Sequence, residues 1–389
     1  MLGRLRKLIV LLLKLAVTAG LLWWVLSGVR WHDHAVDRAT GREHRVLDAR
    51  PGQVQVQTGA GPQWRPVGQF QALGGRVVRV GLAAALMGLR GAVFAAAAAL
   101  LAVQLTLMGV RWWYLMRFEG LGVGLGATVR LMFIGHFFNF FLPGSTGGDV
   151  IRAYLVTRRT AARTVAVATV LLDRFAGLAG MAFLAGAMTL ITWGSPQTRQ
   201  AATAVGVTML VIVSAGLVLF SRRIGRAIRL DALIDRLPRR QNLRIAIDAL
   251  RELPRSPKAV AAVGTMTLGV HLLLAGGIAT LGAALGLPVP AHLYFLFIPV
   301  IYILAAIPVS IGGLGVVEGM YVLFFAPYPG VDVSAVLALA LLARFTPMLL
   351  SLPGLVCWLT ERGGRENAAE DGPARDGGAG PPAPAGDSP

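Results

Sequence analysis

Apolar runs of about 20 residues are the feature of this sequence that most restricts its fold. A run of this length matches the helix needed to cross a hydrocarbon core of about 30 Å. Charged residues make up only 14 % of the chain and hydrophobic residues 55 %, whereas about 25 % of a soluble protein is charged. The sequence therefore predicts an all-α integral membrane protein and excludes a soluble enzyme. The predicted spans are 1–27, 91–110, 164–193, 201–220, 259–285 and 333–359.

Two further apolar stretches, 125–157 and 293–326, differ from these six spans because Pro and Gly interrupt each of them near its middle. A helix broken at membrane depth is tolerated only where its free backbone groups are buried in protein or line a cavity. Broken helices of this kind form the substrate sites of many transporters. We therefore expect two re-entrant hairpins, each entering the bilayer and returning to the same side.

The remaining segments are less apolar. Gly and Pro punctuate residues 28–75, and the alternation at 53–57 has the period of a β-strand, which predicts a small β-rich extracytoplasmic insert. The short apolar stretch within 76–90 is flanked by arginines and is expected to lie at the membrane interface. The polytopic domain then covers 76–360. Gly, Pro, Ala and acidic residues dominate 361–389, which predicts a disordered tail.

The distribution of Lys and Arg predicts the orientation. The segment 111–163 carries seven basic residues and the loop 221–258 carries eleven, so both are expected on the cytoplasmic side of the cell membrane. The run 1–27 is too long for the core of a cleaved signal and is expected to stay as a span, with both termini cytoplasmic. The net charge of 37 minus 19, or +18, is explained by these orientation signals rather than by nucleic-acid binding.

A six-residue pattern, P-x-S-x-G-G, interrupts both broken segments. With the orientation above, its two copies meet the membrane with opposite polarity, which is typical of an inverted repeat. Pro and Gly leave free peptide groups before a helix N-terminus, and such a terminus favours an anion, for example a phosphate. The alternative is that these residues only kink or closely pack helices. The residues concerned are Pro143, Ser145, Gly147 and Gly148 in the first copy, and Pro308, Ser310, Gly312 and Gly313 in the second.

Three acids and three bases lie within or beside apolar segments, where each central charge costs roughly 2.5–3.5 kcal/mol. We expect Glu318 to pair with Arg344, and Asp149 to pair with Arg152 or Arg174. The alternative is that some of these groups anchor helix ends at the cytoplasmic interface. The six residues are Asp149, Arg152, Asp173, Arg174, Glu318 and Arg344.

Other polar and aromatic residues give weaker signals. His136 and Asn139, one helical turn apart, either face a cavity or make ordinary interhelical hydrogen bonds. The run of Trp112, Trp113 and Tyr114 beside Arg111 is interpreted as an interfacial aromatic belt. A single cysteine, Cys357, excludes an intrachain disulfide, and no nucleotide, zinc or hydrolase motif occurs. No metal or cofactor is therefore expected.

The sequence resembles the lysylphosphatidylglycerol synthase transmembrane region, a family also described as flippase-like membrane proteins. The resemblance covers about 90–360 and implies a helical membrane fold with re-entrant segments that moves aminoacylated or glycosylated phospholipids, or related lipids, between leaflets. The soluble aminoacyltransferase domain of bifunctional members has no counterpart in this chain. The segments that carry the resemblance are GHFFNFFLPGSTGGDVIRAYL (135–155), VLLDRFAGL (170–178), IPVSIGGLGVVEG (307–319) and Arg344.

The sequence thus predicts a lipid translocator without enzymatic activity, whose partner is a membrane phospholipid or lipid-linked molecule. In this hypothesis the arginines meet the phosphate, the motif backbones donate amides, and the acids balance charge or contact an amine. One alternative is a membrane-embedded transferase with Asp149 or Glu318 as its base. Another is a non-catalytic protein whose insert at 28–75 binds an envelope partner or a second copy of the chain.

Overall fold

The structure is a computed structural model, and it describes side chains as far as Glu361. The predicted spans 1–27 and 201–220 and the basic loop 221–258 lie outside the described residues, apart from scattered positions. The described residues are 16–21, 23, 27, 30–73, 75, 77–141, 147–194, 199, 202–203, 205–207, 209–210, 214, 223, 226, 256–306, 310 and 313–370.

Within these residues the chain forms one small β-sheet followed by a helical body. The strands are β1 (His34–Val36), β2 (Glu43–Arg50), β3 (Gln53–Thr58) and β4 (Gly61–Pro66). The helices are α1 (Leu82–Met87), α2 (Gly91–Phe118), α3 (Leu125–Phe141), α4 (Gly147–Thr157), α5 (Arg163–Ile191), α6 (Pro257–Ala284), α7 (Ala291–Ala305), α8 (Val316–Phe325), α9 (Val333–Leu350) and α10 (Pro353–Glu370).

Four helical stretches in the described part of the chain are long and apolar enough to cross a membrane. They are α2, α5, α6 and the segment Val333–Glu361, which joins α9 to most of α10. These stretches confirm a multi-pass helical membrane protein, and they agree with four of the six predicted spans. The last predicted span, 333–359, is interrupted at Ser351 because Pro353 cannot donate the amide hydrogen bond that would continue α9.

Helix α10 also extends into the segment predicted to be a disordered tail. It ends at Glu370, so the first ten residues of that segment are helical, and 371–389 lie outside the described residues. The side chain of Glu361 forms an ion pair with Arg159, which follows α4. This contact anchors α10 where the sequence alone shows only a polar and Gly-rich composition.

Each of the two interrupted apolar stretches forms a pair of short helices. The stretch at 125–157 forms α3 and α4, and the stretch at 293–326 forms α7 and α8. The two members of each pair contact one another. The helix breaks therefore fall where the Pro and Gly residues predicted them, whereas the depth of these helices in a bilayer stays a prediction.

The long helices run antiparallel to their main neighbours. The start of α2 meets the end of α6, where the Arg90 amide donates to the Ala284 carbonyl at 3.2 Å. Near the other end of α2, the Trp112 indole donates to Thr169, the seventh residue of α5, at 3.2 Å. Leu82 of α1, just before α2, packs on Leu337 near the start of α9. Helices α5 and α9 consequently begin at opposite ends of the bundle.

The predicted β-rich insert is an antiparallel four-stranded sheet in the order β1-β2-β3-β4. Alternate residues of β3, Val54 and Val56, point into a small core with Ala35 and Phe70, as the period of two requires. The sheet is attached to the start of α9, because the Arg30 amide donates to the Ser334 hydroxyl at 3.4 Å.

An ion pair links the segment before the sheet to β2. Arg30 donates to the Glu43 carboxylate, and this hydrogen bond lowers the pKa of Glu43 below its usual value. The insert is therefore held in place at the end of the bundle where α2 and α9 begin.

The close approach of α3 and α4 gives a test of the packing. A methyl group at Gly148 would lie 1.7 Å from the carbonyl oxygen of Gly135, so the two helices must separate. We expect Gly148→Ala to lower the free energy of unfolding by about 1–3 kcal/mol. Gly126→Ala, in the same helix pair, has no atom within 4 Å of the new methyl and should leave stability unchanged or slightly raised. Thermal unfolding of both purified variants in detergent measures this, and equal melting temperatures would contradict the packing.

Candidate functional site: two buried charge clusters

The first cluster is built on the N-terminal turn of α4. Gly147 and Gly148 begin this helix, and the Gly148 amide donates to the Asn139 side-chain oxygen of α3 at 2.9 Å. Asn139 thus makes an interhelical hydrogen bond, which was one of the two alternatives for it. Pro143 and Ser145 of the same motif lie outside the described residues.

Five side chains from α2, α4 and α5 form a chain of alternating charges, which we call the charge ladder. Arg111 lies 2.9 Å from Oδ1 of Asp173, and Arg152 lies 3.1 Å from Oδ2 of the same carboxylate. Arg152 also lies 3.3 Å from Asp149, which in turn pairs with Arg174. Asp149 therefore pairs with both arginines that the sequence proposed for it.

Burial changes along the charge ladder. The side chains of Arg111, Asp173 and Arg152 are only 2–3 % exposed, that of Asp149 is 17 % exposed, and that of Arg174 is 39 % exposed. Arg152 and Asp173 are therefore interior groups rather than interfacial anchors. The ladder is accessible mainly at its Arg174 end, next to the N-terminus of α4.

Trp112 corrects the interpretation of the aromatic run as an interfacial belt. Its side chain is fully buried, and the Arg152 guanidinium lies 4.4 Å from its ring centroid. The indole of Trp112 also donates to Thr169 of α5 at 3.2 Å. Trp112 therefore helps to hold Arg152 by a cation–π contact in a desolvated setting. Its neighbours Trp113 and Tyr114 are only partly buried.

Arg111 is a site residue that the sequence analysis missed. The sequence analysis counted it among the basic residues of the cytoplasmic segment 111–163, just after the span 91–110, because basic residues commonly flank apolar runs. Helix α2 continues for seven residues beyond it, to Phe118, and the guanidinium also donates to Thr267 of α6 at 3.2 Å. Gln104 is one signal that was available, since it lies seven residues earlier on the same buried face of α2.

The second cluster lies at the start of α8. Glu318 is 5 % exposed, and its Oε1 lies 2.6 Å from Nε of Arg344 on α9, as the sequence predicted. Its second oxygen accepts the Gly315 amide at 2.8 Å, and a further nitrogen of Arg344 donates to the Gly313 carbonyl at 3.3 Å. Gly313 and Gly315 have φ values of 70° and 79°, a region that favours glycine. Gly313 of the motif and Gly315, two residues beyond it, thus shape a turn that places two backbone groups on this pair.

The other residues of the second motif are less informative. Ser310 is buried, and its hydroxyl has no hydrogen-bond partner among the described residues. Gly312 lies outside the described residues. We call α2–α5 the first half of the helical body and α6–α9 the second half. In the first half, His136 is within electrostatic range of Asp149, Arg152 and Arg174, and it packs edge-on against Phe140. In the part of the chain that is described, no three His, Cys, Asp or Glu side chains are grouped as metal ligands.

The two clusters repeat one arrangement. Asp149 and Glu318 are each the third residue of a short helix, and each pairs with the twelfth residue of the following long helix. The paired residues are 25 positions apart in the first half and 26 in the second. Arg174 and Arg344 therefore lie about 16 Å along their helices from the first residue. Because α5 and α9 begin at opposite ends of the bundle, the two arginines approach the middle from opposite sides.

The fold and the two clusters together define a multi-pass helical membrane protein with buried, paired charges at broken helices. The model of the lysylphosphatidylglycerol synthase transmembrane region matches residues 78–354. The chain belongs to this family, and its function is therefore related to membrane lipids. The matched region begins after the four-stranded sheet. No curated protein and no solved structure matches the chain.

The Glu318–Arg344 pair gives a test of how the charges are balanced. Glu318→Leu leaves the Arg344 guanidinium without its carboxylate, and we expect a loss of roughly 3–5 kcal/mol in the free energy of unfolding. The double variant Glu318→Leu/Arg344→Met should recover most of this loss, because no unpaired charge remains. Both variants lose the hydrogen bond from the Gly315 amide to Glu318. The difference between their free energies of unfolding therefore measures the effect of the Arg344 guanidinium.

The matched control for this test is the exposed pair of Asp48 and Arg50, 3.9 Å apart in the insert. Asp48→Ala should change stability by about 0–1 kcal/mol. Thermal unfolding in detergent compares all three variants. A double variant less stable than the single variant would show that the pair does not balance charge.

Proposed function

We propose that this protein is a lipid translocator that moves a phospholipid, or a modified or glycosylated lipid, between the two leaflets of the cell membrane. The lipid headgroup passes between the two pairs of short helices, α3–α4 and α7–α8, while the acyl chains stay in the bilayer. This route avoids most of the cost of carrying a polar group through hydrocarbon.

The observation that carries the proposal is the repeated acid–arginine pair approached from opposite ends of the bundle. An inverted repeat of this kind supports alternating access, in which a site near the midplane opens first to one side and then to the other. The α3–α4 pair follows the end of α2, and the α7–α8 pair follows the end of α6. Since α2 and α6 are antiparallel, the two pairs enter from opposite ends, which supports re-entrant hairpins of opposite polarity.

The surface of α4 supports a lipid rather than a soluble substrate. This helix buries Arg152 on one side and exposes Val150 and Tyr154 on the other, at 67 % and 53 %. Phe141, at the end of α3, is 50 % exposed. A short helix with a charged inner side and an apolar outer side suits a molecule whose headgroup and acyl chains need different surroundings. Arginine is also well suited to the phosphate of such a headgroup.

Leaflet exchange in liposomes tests the translocation. The purified protein is reconstituted with a panel of fluorescently labelled lipids, and the inward-facing label is followed by quenching from outside. We expect exchange well above that of empty liposomes for at least one headgroup. Arg174→Gln and Arg344→Gln should each slow it at least tenfold, because each removes a phosphate contact from one half.

The matched control for exchange is Arg117→Gln, which changes an exposed arginine of α2 that stacks on Trp113. This variant should exchange lipid at the wild-type rate. If folded wild-type protein exchanges no lipid of the panel, translocation is the wrong function. If both Arg174→Gln and Arg344→Gln keep the full rate, the two pairs are not the transport site.

Labelling of single cysteines tests the orientation. In a Cys357→Ser background, Ala161→Cys lies in the loop before α5 and Pro329→Cys in the loop before α9, and both positions are exposed. We expect a membrane-impermeant maleimide to label Ala161→Cys only from the cytoplasmic side and Pro329→Cys only from the outside, because the basic loops are cytoplasmic. Labelling of both from one side would rule out the inverted arrangement.

A further inference from the structure

We infer that the outer face of the four-stranded sheet binds an acidic polysaccharide, a sugar chain that carries carboxylate groups. The sheet precedes residues 78–354, which match the family model, so membership of the family does not explain it. The side chains on one face of the sheet, the charge of the insert and its attachment to the bundle support this partner. Such binding is independent of the proposed lipid translocation.

The register of the strands places a polar surface on one side of the sheet. Val54 and Val56 of β3 point into the small core. The three glutamines that alternate with them therefore point to the opposite side of the strand. Across from these glutamines lie Asp48 and Arg50 of β2 and Trp64 of β4. We call this surface the glutamine face, and it consists of Asp48, Arg50, Gln53, Gln55, Gln57 and Trp64.

The glutamine amides are available to a ligand. Gln53 and Gln57 are exposed and Gln55 is half-buried. The side chains of Gln53 and Gln55 make no hydrogen bond within the described residues, and that of Gln57 makes one long contact of 3.5 Å to the Thr58 carbonyl. Each amide offers both donors and an acceptor, and alternate residues of a strand are about 6.6 Å apart. A row of such groups suits a sugar chain, because every sugar hydroxyl can both donate and accept.

Trp64 gives the glutamine face an apolar platform. It is partly exposed, and the guanidinium carbon of Arg50 lies 4.4 Å from its ring centroid. A pyranose ring has C–H groups on its faces and hydroxyls at its rim. It can therefore stack on an indole while its rim bonds to neighbouring amides. The guanidinium beside the indole can donate two parallel hydrogen bonds to a carboxylate on the sugar.

Two arginines of β2 are available for carboxylate groups. The ion-pair partner of Arg50 is Asp48, 3.9 Å away, and both side chains are more than half exposed. An exposed pair of this kind is weak, so a carboxylate ligand can replace Asp48. Arg45 is exposed and precedes Val46, which packs against the core. Arg45 therefore points to the same side of β2 as the glutamine face.

The charge of the insert favours an anionic partner. Residues 30–79 contain eight arginines and four acidic residues, which gives 8 minus 4, or +4, with histidines counted as neutral. Each of the four acids accepts a hydrogen bond or lies in an ion pair. Arg38, Arg42 and Arg45 are exposed and lie in no ion pair within the described part of the chain. Because the insert is predicted to be extracytoplasmic, these arginines are not orientation signals, and they attract polyanions instead.

The position of the glutamine face favours a polymer over the headgroup of a glycolipid. The strands are ordered β1-β2-β3-β4, and the chain is fastened to the bundle before β1, at Arg30. The glutamine face is centred on β3, which is two strand spacings from β1, or about 10 Å. This displacement suits a chain of the cell envelope rather than a single sugar held beside the bundle.

Binding of labelled oligomers to the full-length protein in neutral detergent tests the ligand class. The probes are fluorescent hexamers of galacturonate and of mannuronate, the methyl esters of both, and a hexamer of glutamate. The esters keep the sugar backbone and remove the charge, whereas the peptide keeps the charge and removes the sugar. Fluorescence anisotropy gives each dissociation constant.

We expect at least one uronate hexamer to bind saturably, and its ester and the peptide to bind roughly tenfold more weakly or not at all. Equal binding of the ester would refute the need for charge. Equal binding of the peptide would show that the insert attracts any acidic polymer, including an acidic protein segment, and would refute the preference for sugar. If folded protein binds neither uronate hexamer, the whole inference is wrong.

A glycolipid with one acidic sugar, glucuronosyl dihexanoylglycerol, separates the two sources of a uronate. In competition with the labelled hexamer it should bind roughly tenfold more weakly, because one sugar cannot cover the row of glutamines. Tighter binding than that of the hexamer would identify a lipid headgroup as the ligand and exclude the polymer.

Substitutions on and off the glutamine face locate the site. Trp64→Ala and Arg50→Gln should each weaken uronate binding by roughly tenfold or more. Trp64→Phe keeps an aromatic platform and should stay within about threefold of the wild type. The matched controls change the same residue types elsewhere in the insert, at Trp31, which is 59 % exposed, and at Arg42, which is also exposed. Trp31→Ala and Arg42→Gln should stay within about twofold of the wild type.

The glutamines have a control of their own. Gln55→Ala should weaken binding by about threefold to tenfold, because one amide is lost. Gln63 of β4 is also exposed, but it lies across from Val56 and therefore on the other side of the sheet. Gln63→Ala should bind as the wild type does.

Thermal unfolding in detergent checks that the variants fold, as expected for changes on a solvent-facing surface. If Trp64→Ala keeps full affinity, or if Trp31→Ala loses as much as Trp64→Ala, the glutamine face is not the site. Uronate binding without leaflet exchange would refute the proposed function alone. Leaflet exchange without uronate binding would refute the polysaccharide site alone.

Discussion

The cost of placing charge in an apolar interior governs this structure. Two helices long enough to span a membrane, α2 and α5, and the short helix α4 bring Arg111, Asp173 and Arg152 together at 2–3 % exposure, where an unpaired charge would not be tolerated. Each carboxylate of the charge ladder, Asp149 and Asp173, is therefore shared between two guanidinium groups. The indole of Trp112 covers the guanidinium of Arg152. The positions of α2, α4 and α5 relative to one another follow from this requirement, because the ladder joins all three.

Breaks in the helices allow buried charges to be paired at two places in the structure. At α4 and at α8 an acid in the first turn reaches an arginine twelve residues into the next long helix. In the second half two glycines with positive φ also turn a carbonyl and an amide toward the pair. A continuous helix would keep these backbone groups in its own hydrogen bonds. The break thus supplies backbone polar groups to a largely buried ion pair.

The two charge clusters differ in composition and in exposure. The charge ladder joins three guanidinium groups and two carboxylates and is most exposed at Arg174, whereas the second cluster is the single, largely buried pair of Glu318 and Arg344. The insert, anchored to the start of α9 through Arg30 and Ser334, lies at the end of the bundle where α2 begins and α6 ends.

The sequence by itself determined the membrane class, the two interrupted segments, the small sheet and the Glu318–Arg344 pair, because run length, Pro–Gly breaks and isolated charges are local properties. It placed Arg111 and Trp112 at an interface, since a basic and aromatic end to an apolar run usually marks the headgroup level. Only the tertiary structure decided that α2 continues beyond them and that Arg111 meets Asp173, 62 positions away. Which charges share a partner depends on the direction and packing of helices, and no local pattern encodes that.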